Sequence, residues 1–381
     1  MNSRQRVLAA LNHHEPDRPP RDLGSTTATG IHPAAYQALK RSLGLEKGFE
    51  YLSSRALLAR VEEPVLDHFG IDLLPLIPVS AGEVPPLDQD RAYVDRWGVE
   101  RRLPEGDGHY FVSRPPLKGL GGAAEIDAAV WPEPREDFSD LREQALHLRG
   151  TTEKALVLNL EVGFLHQAQF MRGYDHWLMD LAAEPALAEY YMDRILEIWL
   201  AEARAMIQAV EDTADVVIYA DDIAFQNGPM VSDEMYRRYL QPRQKRVFDL
   251  MAASEMKSLY HSCGSITSLI PHLVDMGVDA LNPVQVSAEG MGNTASLKET
   301  WGDQVTFWGG IDTHYVMPRG SVEEVQEEVH RRLDDLAGNG GYVLATVHDI
   351  QAEVPPENVR ALFQAADEWS GPQWKGAEDV G

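Results

Sequence analysis

Cysteine is almost absent from this chain: 381 residues contain one, Cys263. An intrachain disulfide is thereby excluded, which fits a reducing compartment. Basic residues are also in short supply, 34 lysines and arginines against 60 aspartates and glutamates, giving a formal charge of −26. Such a charge repels phosphate backbones and anionic lipid surfaces, so neither nucleic acid nor membrane is an expected partner. No apolar run approaches the roughly 20 residues of a membrane span. The opening MNSRQRVLAALNHHEPDRPP has no apolar signal segment, and a cytoplasmic protein is expected. Missing too are a GxGxxG turn after an early strand, a fixed-period repeat and any low-complexity tract, which argues against a dinucleotide fold and a solenoid.

What remains is the balance of an ordinary globular protein, with 44% hydrophobic and 25% charged residues. Short apolar runs ending in polar or glycine-containing turns recur along it: RDLG (21–24), IDLLPLI (71–77), ALVLNL (155–160), DVVIYA (215–220), KSLYH (257–261), DALNPVQV (279–286), VTFWGG (305–310) and GYVLA (341–345). Several show little alternation, as strands buried on both faces of a parallel sheet do. Helical patterns lie between them: Ser321 and Glu324 form a capping box, Pro185 opens a long amphipathic segment, and Ser232 caps another. Eight such units predict an α/β fold, a (β/α)8 TIM barrel forming a single domain over residues 1–370. The stretch from about 80 to 120 breaks the rhythm, and alternation through Glu105-Gly106-Asp107-Gly108 predicts a β-hairpin inserted between the second and third units. Residues 371–381 are expected to fray.

In a barrel of this kind chemistry sits at the carboxyl ends of the strands. The ionisable and polar groups there include Glu161, Asp221, Asp222, His261, Cys263 and His348, with Asn227, Gln285, Trp308, Asp312 and His314 as candidates for substrate contact. His261 and Cys263 continue one strand at spacing two, so their side chains point the same way and an imidazole and a thiol converge. Nitrogen with sulfur suits a borderline-soft ion such as zinc, which needs at least one more protein ligand. His348 leads for that place, and Glu161 or one of the two aspartates is also within the expected reach. Against the metal reading, a free cysteine is commonly a small buried hydrophobe, and Asp221 and Asp222 are also placed to cap a helix. Adjacent side chains on a strand diverge, so one of that pair faces the mouth, and Asp222 is favoured. A carboxylate at Glu161, ending an apolar run, calls for a cation, a salt bridge or a catalytic proton.

SRQRVLAALNHHEPDRPP, YADDIAFQNGPMVSDEMYRRYLQPRQKRVFDL, HSCG, FWGGIDTH and LATVHDIQAEVPPENV together resemble the uroporphyrinogen decarboxylase superfamily, which holds the decarboxylase and the corrinoid-linked, zinc-dependent methyltransferases. The decarboxylase branch has an arginine-rich RQAGRY-type segment for substrate carboxylates where this chain has RPPRDLGSTTATG. The methyltransferase branch has His-x-Cys and a later second cysteine, all binding zinc. His261 and Cys263 match the first two, and His348 falls at the third. Histidine there removes one negative charge, leaving a metal more Lewis-acidic and less tuned to a thiolate substrate. The resemblance thus implies a zinc-dependent methyltransferase moving a methyl group between a small substrate and a corrinoid on a partner protein. Zinc would sit on His261, Cys263 and His348, with Glu161 or Asp222 supplying a proton, in a homodimer. The alternatives are a metal-free lyase acting on an aromatic or pyrrolic carboxylic acid and a ligand-binding barrel without turnover.

Overall fold

The computed structural model describes residues 1–78, 91–104 and 110–370, and the side chain of Glu161 lies outside what it describes. Seven of the eight apolar runs form strands: β1 (Leu73–Leu76), β2 (Ala155–Val162), β3 (Val216–Ala220), β4 (Lys257–His261), β5 (Ala280–Asn282), β6 (Thr306–Ile311) and β7 (Tyr342–Thr346). They pair in sequence order as one parallel sheet, and helices separate them along the chain. Unbroken apolar runs make such strands because both faces are covered. The eighth run is the exception, since RDLG is reduced to a single parallel bridge, Arg21 to Leu344 of β7. On its other side the Arg21 carbonyl accepts the Asp72 N–H at 3.0 Å, next to β1. One residue thus has backbone partners on both flanking segments, consistent with a curled, TIM-like barrel.

Alternation sorts the strand residues. Leu73, Ala155, Val157, Val216, Ile218, Leu259, Ala280, Trp308, Val343 and Ala345 form one buried cluster, the interior of the curl. Val7 and Leu11, from the helix Ser3–Leu11, join this cluster. The other parity, Leu156, Leu158, Val217, Tyr219 and Tyr260 among it, packs in a second cluster with the helices. Trp308, expected to touch substrate, has interior parity and is fully buried, its indole N–H donating to Asp22 Oδ2 at 3.0 Å.

Between β1 and β2 three short strands, Ala92–Val94, Glu100–Arg102 and Phe111–Arg114, form a small antiparallel sheet. The reversal predicted at Glu105–Gly108, and the tail from 371, lie outside the described residues. Among the described residues no helix is long and apolar enough to cross a membrane.

Candidate metal centre and cavity

Interior parity carried past the strand ends picks out the residues that meet in the mouth: Asn159 on β2, Ala220 and Asp222 on β3, and His261 on β4. All four line one cavity of about 260 Å³, with Thr27, Ala28, Arg55, His166, Phe170 and His348. An outer chamber of about 300 Å³ shares Thr27, Arg55, Val162 and His348 with it and adds Arg101, Tyr110 and Asp349. The segment GSTTATG forms part of the wall. Thr27 N–H donates to Asn159 Oδ1 at 3.1 Å and Asn159 Nδ2 to the Ser25 carbonyl at 3.0 Å, tying loop to strand.

His261, Cys263 and His348 present ligand atoms that all lie within 4.8 Å of one another. Cys263 Sγ is 3.6 Å from His261 Nε2. Zinc bonds of about 2.0 Å to nitrogen and 2.3 Å to sulfur at a tetrahedral angle put those two atoms about 3.6 Å apart, so the donors fit the ion without rearrangement of that pair. Each imidazole also has an outer partner. His261 Nδ1 lies 2.5 Å from Asn282 Oδ1, and Asn282 Nδ2 donates to the Trp308 carbonyl at 3.1 Å. An Nδ1–H donated to Asn282 leaves the Nε2 lone pair directed at the sulfur, the tautomer a ligand needs. His348 Nδ1 lies against the carboxylate of its neighbour Asp349.

Electrostatics point the same way. Burial pushes the His261 imidazolium down, outweighing Asp222 and Asn282, so the ring is a neutral donor. Burial, with Asp222 adding to it, pushes the Cys263 thiol far above the ordinary thiol range. A thiol so placed is no nucleophile by itself, and a bound cation would be needed to make it a thiolate.

The glycine of HSCG has a steric reason. Gly264 has φ +94°, and a Cβ there would lie 2.7 Å from the Ala224 and Phe225 carbonyls. Its N–H donates to Gln285 Oε1 at 2.6 Å, and the Cys263 N–H to Asp222 Oδ1 at 2.7 Å. Gln285 therefore shapes the ligand turn and is absent from the cavity wall. The other expected substrate contacts also lie elsewhere. Asn227 is exposed in the turn joining the short strands Ala224–Phe225 and Gly228–Pro229. Asp312 accepts the N–H groups of His314, Tyr315 and Val316, and exposed His314 meets Ser287 at 3.3 Å.

Asp221 and Asp222 diverge as neighbouring strand residues must. Asp222 faces the cavity, whereas Asp221 is fully buried beneath the helix Phe164–Arg172, where it accepts the N–H groups of Leu165 and His166 at 2.9 and 2.8 Å. The close approach requires Gly163, because a Cβ there would lie 2.3 Å from Asp221. Between the two carboxylates sits His166, which the sequence reading missed. Its Nδ1 is 3.1 Å from Asp221 and its Nε2 3.6 Å from Asp222. Burial opposes charge on this ring, but its contacts with the two carboxylates outweigh burial and raise its pKa to about 10. The reverse holds for Asp222: burial works against its charge, yet His166, His261 and the Cys263 N–H together hold it well below the usual carboxylate range.

If Asn282 orients His261 for metal, Asn282→Ala should weaken zinc binding about 10–100-fold, the usual cost of losing an outer-shell partner. Competition with a zinc chelator measures this. Unchanged affinity would show that His261 needs no orientation.

These features define the class: a curled parallel α/β sheet whose strand ends gather nitrogen and sulfur donors around a small cavity. The chain belongs to the uroporphyrinogen decarboxylase (URO-D) family, whose model matches residues 162–369. It is 25% identical over 171 residues to a methylated-thiol–coenzyme M methyltransferase of Methanosarcina mazei, covering 44% of this chain and 41% of that protein. It is 25% identical over 212 residues to methylcobamide:CoM methyltransferase MtbA of the same organism, covering 55% of this chain and 57% of that one. The chain thus spans about half the length of these curated relatives. The solved structure of a methyltransferase from Methanosarcina mazei superposes with a TM-score of 0.66 at 20% identity, covering 97% of this chain and 99% of that chain, a shared fold.

Proposed function

We propose that this protein is a zinc-dependent methyltransferase, moving a methyl group between a small methylated substrate and a corrinoid protein that docks at the mouth, and that it works as a homodimer. The observation that carries the reading is the convergence of His261, Cys263 and His348, with ligand atoms within 4.8 Å, at a cavity of about 260 Å³ that His261 and His348 line. The similarity to two methyltransferases supports the reaction class. These three side chains would hold the ion, and zinc in an open site supplies a Lewis acid that polarises a substrate heteroatom.

The chain's own residues do the rest. Asn282 orients His261, Asp349 meets His348, and Asp222 fixes the ligand turn through the Cys263 N–H. Leu160, Val162, Ile77 and Phe170 give the cavity an apolar part of its wall. A cavity of about 260 Å³ suits a small donor and is below the usual 300–1,000 Å³ range for drug-sized ligands.

The test is zinc content of the purified protein, followed by methyl transfer from a panel of ethers and thioethers to a corrinoid protein, read from the cobalt absorption spectrum. Near-stoichiometric zinc and donor-dependent methylation are expected. A protein that stays metal-free with added zinc and instead releases carbon dioxide from a pyrrolic acid would make it the lyase.

A further inference from the structure

We propose that His166 is the catalytic acid that protonates the heteroatom left behind by the departing methyl group, which fits the site to methyl ethers. The proposal rests on the methyl-transfer reading above. An ether leaves as a basic alkoxide or phenoxide, so a proton delivered to its oxygen as the C–O bond breaks lowers the barrier beyond what a Lewis acid supplies.

The geometry is that of an oriented acid. Asp221 Oδ2 takes the Leu165 N–H at 2.9 Å and the Tyr219 hydroxyl at 2.5 Å, and Oδ1 takes the His166 N–H at 2.8 Å. A carboxylate so fixed sets the ring that meets it at Nδ1, the role of the third member in an acid–base–orienter group. Phe170 stacks on the imidazole with centroids 5.8 Å apart and planes within 14°. At the other end the Nε2 to Asp222 distance of 3.6 Å is too long for a good hydrogen bond, so the proton on Nε2 has no tight acceptor. His166 lines the cavity beside Asp222 and His261.

Other donors fail. Asp222 is held ionised, His261, Cys263 and His348 are ligands in this reading, Arg55 keeps its proton, and the hydroxyls of Thr27 and Ser53 are weak acids. The electron pair of the acceptor, corrinoid cobalt(I) as cosubstrate, forms the new bond to the methyl carbon. The C–O pair stays on oxygen, oxygen takes the Nε2 proton, and neutral His166 regains a proton from water.

The experiment compares the zinc-loaded full-length protein with His166→Gln on ring-substituted aryl methyl ethers and on trimethylsulfonium, whose sulfide leaves neutral and needs no proton. Zinc content and thermal unfolding confirm that the variant is intact. His166→Gln should lower kcat for ethers by about 10²–10⁴-fold, most for the most basic leaving groups, and change sulfonium transfer less than about tenfold. Ether binding by calorimetry should shift only a few-fold. Equal losses on both donor classes, or across the ether series, would mean that His166 only positions the site and would overturn the proposal, as would an unchanged ether rate. A wild type inactive with every donor overturns the methyl-transfer reading and this proposal together, whereas wild-type transfer with an indifferent variant overturns the acid alone.

Discussion

Cys263→Ala and His348→Ala are each expected to purify with little or no zinc and to lose methyl transfer. Removing an outer-shell partner costs about 10–100-fold in metal affinity, so removing a ligand should cost more than about 100-fold. Loss of the Cys263 thiolate also removes the one negative charge the protein donors offer the ion. Neither change should unfold the chain. The His348 side chain is 47% exposed, and substitutions at such positions away from packing usually stay within about 0.5 kcal/mol. Cys263 is half-buried and is replaced by a smaller apolar group. Parallel measurement of zinc content and thermal unfolding separates the readings. Variants that fold normally and lose zinc confirm the centre, whereas variants that keep zinc assign His348 and Cys263 to packing.

The second large effect is on stability. Asp72→Ala should lower the unfolding free energy by about 3 kcal/mol, the lower end of the range for breaking a buried ion pair. Asp72 is fully buried just before β1 and accepts Arg6 Nη1 at 2.7 Å, Arg18 Nη1 at 2.8 Å and the Arg21 N–H at 3.0 Å. Its loss would remove a partner of the Arg6 and Arg18 guanidinium groups and loosen Arg21, the residue of the first apolar run that bridges to β7. The lower end is expected because Arg6 retains Asp17, with contacts of 2.6 and 2.7 Å, and Arg18 is partly exposed. Urea unfolding measures the difference. A loss below about 1 kcal/mol would show that water replaces the carboxylate at no great cost.

Much of the fold was legible because a strand covered on both faces must be apolar throughout. Seven of the eight apolar runs are strands, their bounds shifted by a residue or two where pairing ends, except that 279–286 stops four residues early at Asn282. RDLG was misjudged as a strand because its pairing depends on Asp72 and Leu344, distant in sequence, and no property of four residues sets how many ladder bonds they make. Within the candidate site, the period of two placed His261 beside Cys263 and separated Asp221 from Asp222. The same period, counted from Trp308 without knowing which parity faces inward, could not tell a mouth residue from an interior one. His166 had no local signal at all. It opens a helix, and its charge arises from carboxylates 55 and 56 residues away that the β2–β3 pairing brings under it.

The sequence by itself determined the alternating architecture, the strand identities, the paired donors at His261 and Cys263 and the family, because each is written in short-range periodicity or in contiguous motifs. Only the tertiary structure decided that His348 joins those donors, that Asn282 and Gln285 orient and shape the centre, and that His166 lies between two aspartates. Those relations depend on distance in space: burial makes His261 a neutral ligand and keeps the Cys263 thiol protonated, whereas the contacts of His166 with Asp221 and Asp222 hold that ion pair against burial.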